Sequence, residues 1–263
     1  MYQTTCERAA REGAKIVLHY FNHGFQLEEK SPANLVTEAD IKTEQVIIEA
    51  IKREFPDHEF LGEEGSKAST DAPHLWIIDP IDGTNNFAHG IPHSGISIAY
   101  AENGEVLAGV VYQPFSDEMF AASKGCGATL NGKPIKATNV ATISQAMVAT
   151  GFYYDYRPDI TWGLKTIELL IKNECHGVRR FGAASLDLCY VASGRFDAYY
   201  ELRLNAWDFA AGMLIAREAG SKVTNVSGQD LTLKDTQLIA ANPNLFNPLK
   251  ALIEEAGVLL APL

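Results

Sequence analysis

Two aspartates, Asp79 and Asp82, stand three residues apart where an apolar run ends, and Gly83 and Thr84 follow them directly. Carboxylates held this close repel each other by several kcal/mol at moderate dielectric unless a cation lies between them. Carboxylate oxygens suit Mg²⁺ or Mn²⁺ better than Zn²⁺, and backbone N–H groups that open a helical turn can hold a phosphate. The segment therefore predicts a metal-assisted phosphate site, with an acidic surface turn as the alternative interpretation.

Three further acidic residues favour a metal-assisted phosphate site over an acidic surface turn. Glu63 and Glu64 lie in a glycine-flanked segment, residues 61–65 (LGEEG), and Asp208 lies near the start of a predicted helix. Taken singly, such residues are typical of a solvated loop or of a favourable interaction with a helix dipole. Their presence together in one chain indicates a shared acidic site.

The histidines and cysteines, which could also bind metals, do not have the spacing of a metal site. His89 and His93 follow the aspartate segment without the HExxH pattern of zinc enzymes, so we expect structural or solvated roles for both. The cysteines form no CxxC pair, and we expect reduced thiols in a cytoplasmic protein. They are Cys6, Cys126, Cys175 and Cys189.

The charge balance restricts the classes of molecule that the chain is expected to bind. The 263 residues include 33 acidic and 22 basic ones, a formal net charge of −11. Such a chain is a poor candidate for nucleic-acid binding, which depends on basic residues that neutralise phosphates, although metal cations would let it bind a phosphorylated substrate. Apolar runs are too short for a membrane span, and the N-terminal segment is amphipathic and charged with no apolar core, so we expect no signal peptide.

Two helices and an antiparallel meander are predicted for the first half of the chain. Residues 5–23 and 40–54 show helical periodicity, and Thr37 with Asp40 has the spacing of a capping box. Asn103-Gly104 between two apolar runs predicts a hairpin. The predicted strands are 74–79, 94–102, 105–113, 117–122 and 127–130.

Strands and helices alternate in the second half, which is typical of an α/β sheet. Predicted strands are 146–151, 177–181, 197–201 and 237–241, and predicted helices are 160–173, 184–193, 206–219 and 245–256. We expect two fused subdomains, residues 1–137 with the main metal ligands and residues 138–263 with Asp208 and the substrate-reading residues.

Five segments together resemble the inositol monophosphatase family of Mg²⁺-dependent, lithium-sensitive phosphatases, and the resemblance covers nearly the whole chain. They are Lys30 with residues 34–40 (NLVTEAD), residues 62–64 (GEE), residues 76–87 (WIIDPIDGTNNF), residues 182–184 (GAA) and residues 207–212 (WDFAAG). The aspartate-rich segment and the WDxAAG segment are each fairly specific. The resemblance implies a layered αβαβα sandwich of mixed α+β and α/β character, with the site between the subdomains, and a homodimer.

The resemblance also implies a role for each matching residue. Glu63, Asp79 and the Ile81 carbonyl would bind one Mg²⁺, Asp79, Asp82 and Asp208 a second, and Glu63 a weaker third, with Mn²⁺ as a possible substitute. Thr84 and Asp40 would polarise the attacking water with support from Glu64, and no covalent phosphoenzyme would form. The substrate would meet Lys30, Asp82, Gly83, Thr84, Ala184 and Glu201.

The sequence leaves several members of this superfamily's substrate range as candidates. Glu201, as an acidic acceptor of hydroxyl groups, favours inositol or sugar-alcohol phosphates, while Ala183 stands where some members carry Ser or Thr. Fructose 1,6-bisphosphate, histidinol phosphate and nucleotide 3′-phosphates are the alternatives, and a bisphosphate would need a basic pocket. The candidates for that pocket are Arg179, Arg180, Arg195 and Arg203. A binding module that has lost turnover is a distant alternative.

Overall fold

The computed structural model describes residues 1–31, 34–152 and 160–257, and for residues 27–31 and 34–35 it describes the backbone only. The helices are α1 (Tyr2–His23), α2 (Glu38–Lys52), α3 (Thr84–Ala88), α4 (Ile160–Lys172), α5 (Ala184–Ala192), α6 (Ala206–Glu218) and α7 (Pro243–Glu255). The strands are β1 (Leu27–Ser31), β2 (Asn34–Thr37), β3 (Glu59–Gly62), β4 (His74–Asp82), β5 (Gly95–Glu102), β6 (Glu105–Gln113), β7 (Glu118–Ser123), β8 (Ala128–Leu130), β9 (Lys133–Pro134), β10 (Met147–Thr150), β11 (Gly177–Arg179), β12 (Ala198–Leu202), β13 (Lys222–Thr224) and β14 (Gln237–Ala241).

A seven-stranded sheet follows chain order from β3 to β9, with β3 parallel to β4 and all later neighbours antiparallel. The hairpin predicted at Asn103-Gly104 is confirmed. Both residues have positive φ, 49° and 81°, which is the conformation of the tight turn whose twist matches that of the flanking strands.

A five-stranded sheet has the order β11-β10-β12-β14-β13. Strand β10 is parallel to both of its neighbours, whereas β14 is antiparallel to β12 and β13. The predicted alternation of strands and helices is therefore confirmed, and the sheet is mixed.

Five layers result from the packing of helices on these sheets. Helices α1 and α2 cover one face of the larger sheet, α5 and α6 lie between the two sheets, and α4 and α7 cover the outer face of the smaller sheet. The predicted αβαβα sandwich is confirmed.

Glycines permit the close approach of the central layer to its neighbours. A Cβ atom on Gly109 of β6 would lie 2.9 Å from the carbonyl oxygen of Ala211, and one on Gly212 of α6 would lie 2.8 Å from the Leu188 Cβ. Since both distances are shorter than a normal contact, side chains here would push α6 away from the sheet and from α5. The small residues of the WDxAAG segment therefore have a packing role.

The structure also contains elements that the periodicity did not predict. These are the β1–β2 hairpin, the short strands β3, β9 and β13, and the single-turn helix α3. None has more than five residues, which is too short for a clear period. The four cysteines are free, as predicted, and no helix among the described residues is long and apolar enough to cross a bilayer.

Candidate active site

The end of β4 brings Asp79 and Asp82 onto one face of the larger sheet. Residues three apart in a regular strand point to opposite faces. Here Asp79 pairs with Ser97 and Asp82 with Gly95, so β4 carries one extra residue opposite β5. Ser97 and Gly95 are two residues apart, so they lie on the same face of β5. The bulge therefore puts their partners, Asp79 and Asp82, on the same face as well. Both aspartates are buried, with 2% and 6% of their surface exposed.

Asp79 lies in a strongly acidic environment. Its Oδ1 accepts the backbone N–H of Ile81 at 3.0 Å. Burial raises the pKa of Asp79 well above its ordinary value, and the charges of Glu63, Asp82, Asp208 and Asp40 raise it further. These neighbours place Asp79 at the centre of the acidic group.

Thr84 and Asp40 come together at the start of α3. The Thr84 hydroxyl lies 3.0 Å from Asp40 Oδ1 and 2.9 Å from the carbonyl oxygen of Ile81. Asp40 Oδ2 accepts the backbone N–H of Thr37 at 2.8 Å and its hydroxyl at 2.5 Å, so the predicted capping box of α2 is confirmed. Burial raises the pKa of Asp40, and the hydrogen bonds from Thr37 and Thr84 oppose this shift.

The turn before Thr84 requires glycine. Gly83 has φ 93°, and a Cβ atom there would lie 3.1 Å from the carbonyl oxygen of Gly182. Asn86 in the same segment donates to the carbonyl oxygens of His93 and Phe181, at 2.9 and 2.7 Å. The aspartate segment is thus joined to the loop that precedes α5, a structural role for Asn86 that sequence reasoning missed.

Asp82 caps α5 from across the layers. Its Oδ1 accepts the N–H of Ala184 at 3.1 Å, and its Oδ2 accepts the N–H and hydroxyl of Ser185 at 2.7 and 2.5 Å. Burial raises the pKa of Asp82 to about 6, and these hydrogen bonds oppose the shift. The Ala184 N–H, a predicted substrate contact, is therefore directed to Asp82 in this structure.

Glu63 and Glu64 follow β3, which runs parallel to β4 and pairs Gly62 with Ile78. This register brings Glu63 level with Asp79, one residue farther along both chains, and Glu64 follows it. Both side chains are half-buried. A cleft with a volume of about 480 Å³, within the usual range for small-molecule sites, is lined by residues 61–67 and Trp207.

Asp208 enters the site from α6. Ser97, the β5 partner of Asp79, donates its hydroxyl to the Trp207 carbonyl oxygen at 3.1 Å, which anchors the first turn of α6 next to Asp79. Asp208 Oδ2 accepts the N–H of Asn205 at 2.6 Å. Burial raises the pKa of Asp208 well above its ordinary value, with further contributions from Asp82, Glu63 and Glu201.

Glu201 on β12 is packed against backbone at Gly151. A Cβ atom at Gly151 would lie only 1.9 Å from Glu201 Oε2, so only glycine leaves room for this carboxylate. Tyr199 donates its hydroxyl to the same oxygen. Burial raises the pKa of Glu201 to about 7.

This arrangement of residues has counterparts in known proteins. The model of the inositol monophosphatase family matches residues 1–257. The chain belongs to the inositol monophosphatase family. It is 41% identical over 231 residues to the inositol-1-monophosphatase of Rhizobium meliloti, with 87% of this chain and 86% of that protein covered. It is 38% identical over 258 residues to the Nus factor SuhB of Xylella fastidiosa, with 95% and 93% covered.

A solved structure supports the same family assignment. The extragenic suppressor protein suhB of Bartonella henselae superposes with a TM-score of 0.90 at 35% identity, covering 96% of this chain and 98% of that one. Members of the inositol monophosphatase family are phosphatases that act on small phosphorylated substrates and are generally metal-dependent. The assignment therefore gives the chain a phosphatase fold and a phosphatase class of chemistry.

The acidic group fits the hard divalent cations on which the inositol monophosphatase family generally depends. Buried carboxylates that raise one another's pKa are stabilised by a cation bound between them, and oxygen donors are the ligands that Mg²⁺ prefers. Within the described ranges, however, no three histidine, cysteine, aspartate or glutamate side chains are already arranged so that they could hold an ion. A cation would have to draw the carboxylates closer together.

Asp187 on α5 is a site neighbour that sequence reasoning missed. Only 1% of it is exposed, and neither carboxylate oxygen has a hydrogen-bond partner among the described residues. Burial raises the pKa of Asp187 well above its ordinary value, and the charges of Glu201 and Asp82 add to this. A single acidic residue within the apolar run ASLDLCYVA was the available signal.

The remaining predicted residues lie around this centre. Lys30 is on β1, and its side chain lies outside the described part of the chain. His89 is exposed, and half-buried His93 packs its ring 5.1 Å from that of Phe181, the environment of a structural histidine. Arg195 pairs with Glu118 and lies over the Tyr190 ring, so it is engaged in the fold.

Proposed function

We propose that the chain is a Mg²⁺-dependent inositol-1-monophosphatase, which hydrolyses inositol phosphate to inositol and phosphate. The observation that carries this proposal is the environment of Asp79, a buried carboxylate whose pKa is raised by burial and by four acidic neighbours, Glu63, Asp82, Asp208 and Asp40, in a chain that the inositol monophosphatase family model matches from residue 1 to 257. A buried acidic group of this kind is stabilised when cations bind to it.

Two to three Mg²⁺ ions would be held by a set of five oxygen-bearing residues, and Mn²⁺ is a substitute of similar chemistry. These residues are Glu63, Asp79, Ile81 through its carbonyl, Asp82 and Asp208. When bound, the ions neutralise phosphate oxygens, lower the pKa of water and stabilise the leaving alkoxide.

The Thr84 hydroxyl orients the attacking water. If the Ile81 carbonyl is engaged with a cation, the proton of Thr84 is directed to Asp40, its other acceptor. The lone pairs of Thr84 Oγ1 then accept a hydrogen bond from the water. Glu64 supports this water network, and no covalent phosphoenzyme is needed because phosphoryl transfer depends mainly on positioning and charge neutralisation.

The substrate is held at its two ends. Backbone N–H groups of Gly83 and Thr84, together with Lys30, bind the phosphate, and Glu201 accepts hydrogen bonds from polyol hydroxyls with help from Asp82 and Ala184. Of the four arginines that could form a second phosphate pocket, Arg195 already pairs with Glu118, which supports a monophosphate. The charge of Arg180, in contrast, acts on Glu201 and keeps a bisphosphate among the substrates to be tested. Fructose 1,6-bisphosphate, histidinol phosphate and nucleotide 3′-phosphates are the substrates to be tested against inositol phosphate.

Several further properties complete this proposal. The resemblance supports lithium inhibition and a homodimer. The sequence itself supports a cytoplasmic location, the absence of nucleic-acid binding through its net charge of −11, and a division into residues 1–137 and 138–263. The two sheets lie on either side of that boundary, with strands between residues 59 and 134 and between residues 147 and 241. A second role alongside catalysis is a candidate because a relative of similar identity is named Nus factor SuhB.

Phosphate release from a substrate panel tests the proposal. The panel contains inositol 1-phosphate, fructose 1,6-bisphosphate, histidinol phosphate, glycerol 2-phosphate and adenosine 3′,5′-bisphosphate, each with Mg²⁺ alone, with EDTA and with Li⁺. We expect metal-dependent release that is fastest with inositol 1-phosphate and is lost in the Asp79→Asn variant. Faster release from another substrate would reassign the chain to a sister activity, and no release from any would leave the binding role as the better description.

A further inference from the structure

Glu44 is a buried carboxylate that neither the sequence motifs nor the proposed mechanism uses. It lies on α2, one helical turn after Asp40, and only 5% of it is exposed. Residues four apart share one face of a helix, so α2 presents both carboxylates toward the end of the larger sheet. Asp40 contacts Thr84 there, which leaves the role of Glu44 to be explained.

The Glu44 carboxylate contacts the loop that carries two predicted site residues. Its Oε2 accepts the backbone N–H of Glu64 at 2.9 Å, and its Oε1 accepts the hydroxyl of Ser66 at 3.2 Å. One side chain therefore holds the loop at two points, directly after Glu63. A buried carboxylate that accepts a backbone N–H restricts that peptide strongly, because an unpaired buried donor is costly.

Gly62 leaves the space in which this carboxylate lies. A Cβ atom at Gly62 would be 2.4 Å from Glu44 Oε2 and 2.8 Å from its Cδ. The Gly62 N–H also donates to the carbonyl oxygen of Ser66 at 2.8 Å, which closes the loop. The glycine of the GEE segment is therefore explained by contact with a helix 18 residues earlier in the chain.

We propose that Glu44 is a positioning residue for the metal-binding loop, and that it sets divalent-metal affinity by holding the backbone on which Glu63 and Glu64 stand. It touches neither substrate nor, in this scheme, the ion. The inference rests on the proposed function for the assignment of Glu63 as a ligand. Groups that orient metal ligands in this way commonly change metal affinity by about 10–100-fold when they are removed.

Calorimetric titration of Mg²⁺ and Mn²⁺ without substrate, together with the Mg²⁺ dependence of phosphate release, tests this proposal. For Glu44→Ala we expect metal Kd to rise about tenfold or more, with a smaller fall in kcat at saturating Mg²⁺. For Glu44→Gln we expect metal affinity close to that of the wild type, since an amide can accept from the Glu64 N–H while donating to Ser66. An unchanged Kd in Glu44→Ala, or equal losses in both variants, would overturn the proposal.

Two glycines of the same loop provide a matched pair. Gly62→Ala should displace the Glu44 carboxylate and raise metal Kd as Glu44→Ala does, and the double variant should show less than the sum of the two effects because both act on one contact. Gly65→Ala is the control, since a Cβ atom there would meet nothing within 4 Å. If Glu44→Ala does not fold, Gly62→Ala still decides the proposal, because an unchanged Kd would contradict it.

Measurements on the wild-type protein distinguish the proposed function from the proposed role of Glu44. Metal binding without hydrolysis of any phosphate ester would contradict the proposed function, while the Kd values of the variants would still decide the role of Glu44. Failure of the wild type to bind either ion would overturn both proposals.

Discussion

Two helices enter the site with an aspartate at the same position of the same local motif. In α2 the backbone N–H of Thr37 donates to Asp40, and in α6 that of Asn205 donates to Asp208. Asp40 is fully buried and also accepts two hydroxyl groups, whereas Asp208 is half-buried and lies among the acidic residues Asp82, Glu63 and Glu201.

This difference shows that surroundings decide what a capping aspartate does. The donors around Asp40 use its acceptor capacity within the protein, so it positions Thr84. Asp208 has one close backbone donor and several acidic neighbours, so it is suited to bind a cation. The predictions below test this contrast.

Asp208→Asn should reduce the rate of phosphate release by about 10²–10³-fold. A loss of this size is typical when one electrostatic group is removed from a reacting centre. The fold should be retained, because the amide oxygen can still accept the Asn205 N–H and the repulsion with its acidic neighbours is relieved. Activity and melting temperature should be measured together. The exposed Asp57→Asn is the control, and a fall in melting temperature without loss of activity would contradict a cation-binding role for Asp208.

Asp40→Ala should lower stability as well as phosphate release, because Asp40 also accepts the hydroxyl of Thr84, which orients the attacking water. The substitution removes the acceptor of the Thr37 N–H and of two hydroxyls in a buried place, which costs about 1–3 kcal/mol in free energy of unfolding. Urea denaturation should show this loss, and Asp208→Ala should lose clearly less. Equal losses in the two variants would remove the contrast between the helices.

Gly151→Ala extends the comparison to Glu201, one of the charges near Asp208. The added methyl group would overlap the Glu201 carboxylate, so KM for inositol 1-phosphate should rise about tenfold, equivalent to about 1.4 kcal/mol. Metal affinity should change little. Gly163→Ala is the control, because its nearest contact would be an ordinary 3.6 Å, and a KM unchanged by Gly151→Ala would argue against substrate reading by Glu201.

Asp187→Asn tests a buried carboxylate that accepts no hydrogen bond from the part of the chain that the structure describes, the opposite of Asp40. Because the folded protein raises the pKa of Asp187, its contribution to stability is present at low pH and falls as pH rises above the unfolded pKa of about 4. The variant should therefore melt a few degrees higher than the wild type near pH 8, where 1 kcal/mol corresponds to about 2–4 °C. Near pH 4 the difference should shrink, and a pH-independent difference would point to packing instead.

Elements with a clear period or a turn signal could be predicted from the sequence, including the short strands β8, β10 and β11, whereas β3, β9 and β13 could not. Helix α2 with its cap and the hairpin at Asn103-Gly104 depend on local spacing, and both are confirmed. The short strand β3 has no local signal, because its pairing with β4 determines it. The division at residue 137 stays a prediction.

The site residues also divide into those that the sequence could identify and those that it could not. Asp79, Asp82, Glu63 and Asp208 could be selected because their residue types and order suit a hard cation, and their roles stay predictions. Glu44 carries no local signal of function, and Asp187 carries only its position in an apolar run, since their roles depend on what packs against them.

The sequence by itself determined the inventory of chemistry, namely acidic groups at strand and helix ends, a glycine turn beside them, and the order of long elements. The tertiary structure alone decided which carboxylates meet donors and which meet other carboxylates. A bulge puts Asp79 and Asp82 on one face, and Gly62 and Gly151 leave space for Glu44 and Glu201. The physical reason is that burial and neighbouring charge, which set the pKa and the binding capacity of a carboxylate, arise from residues distant in sequence.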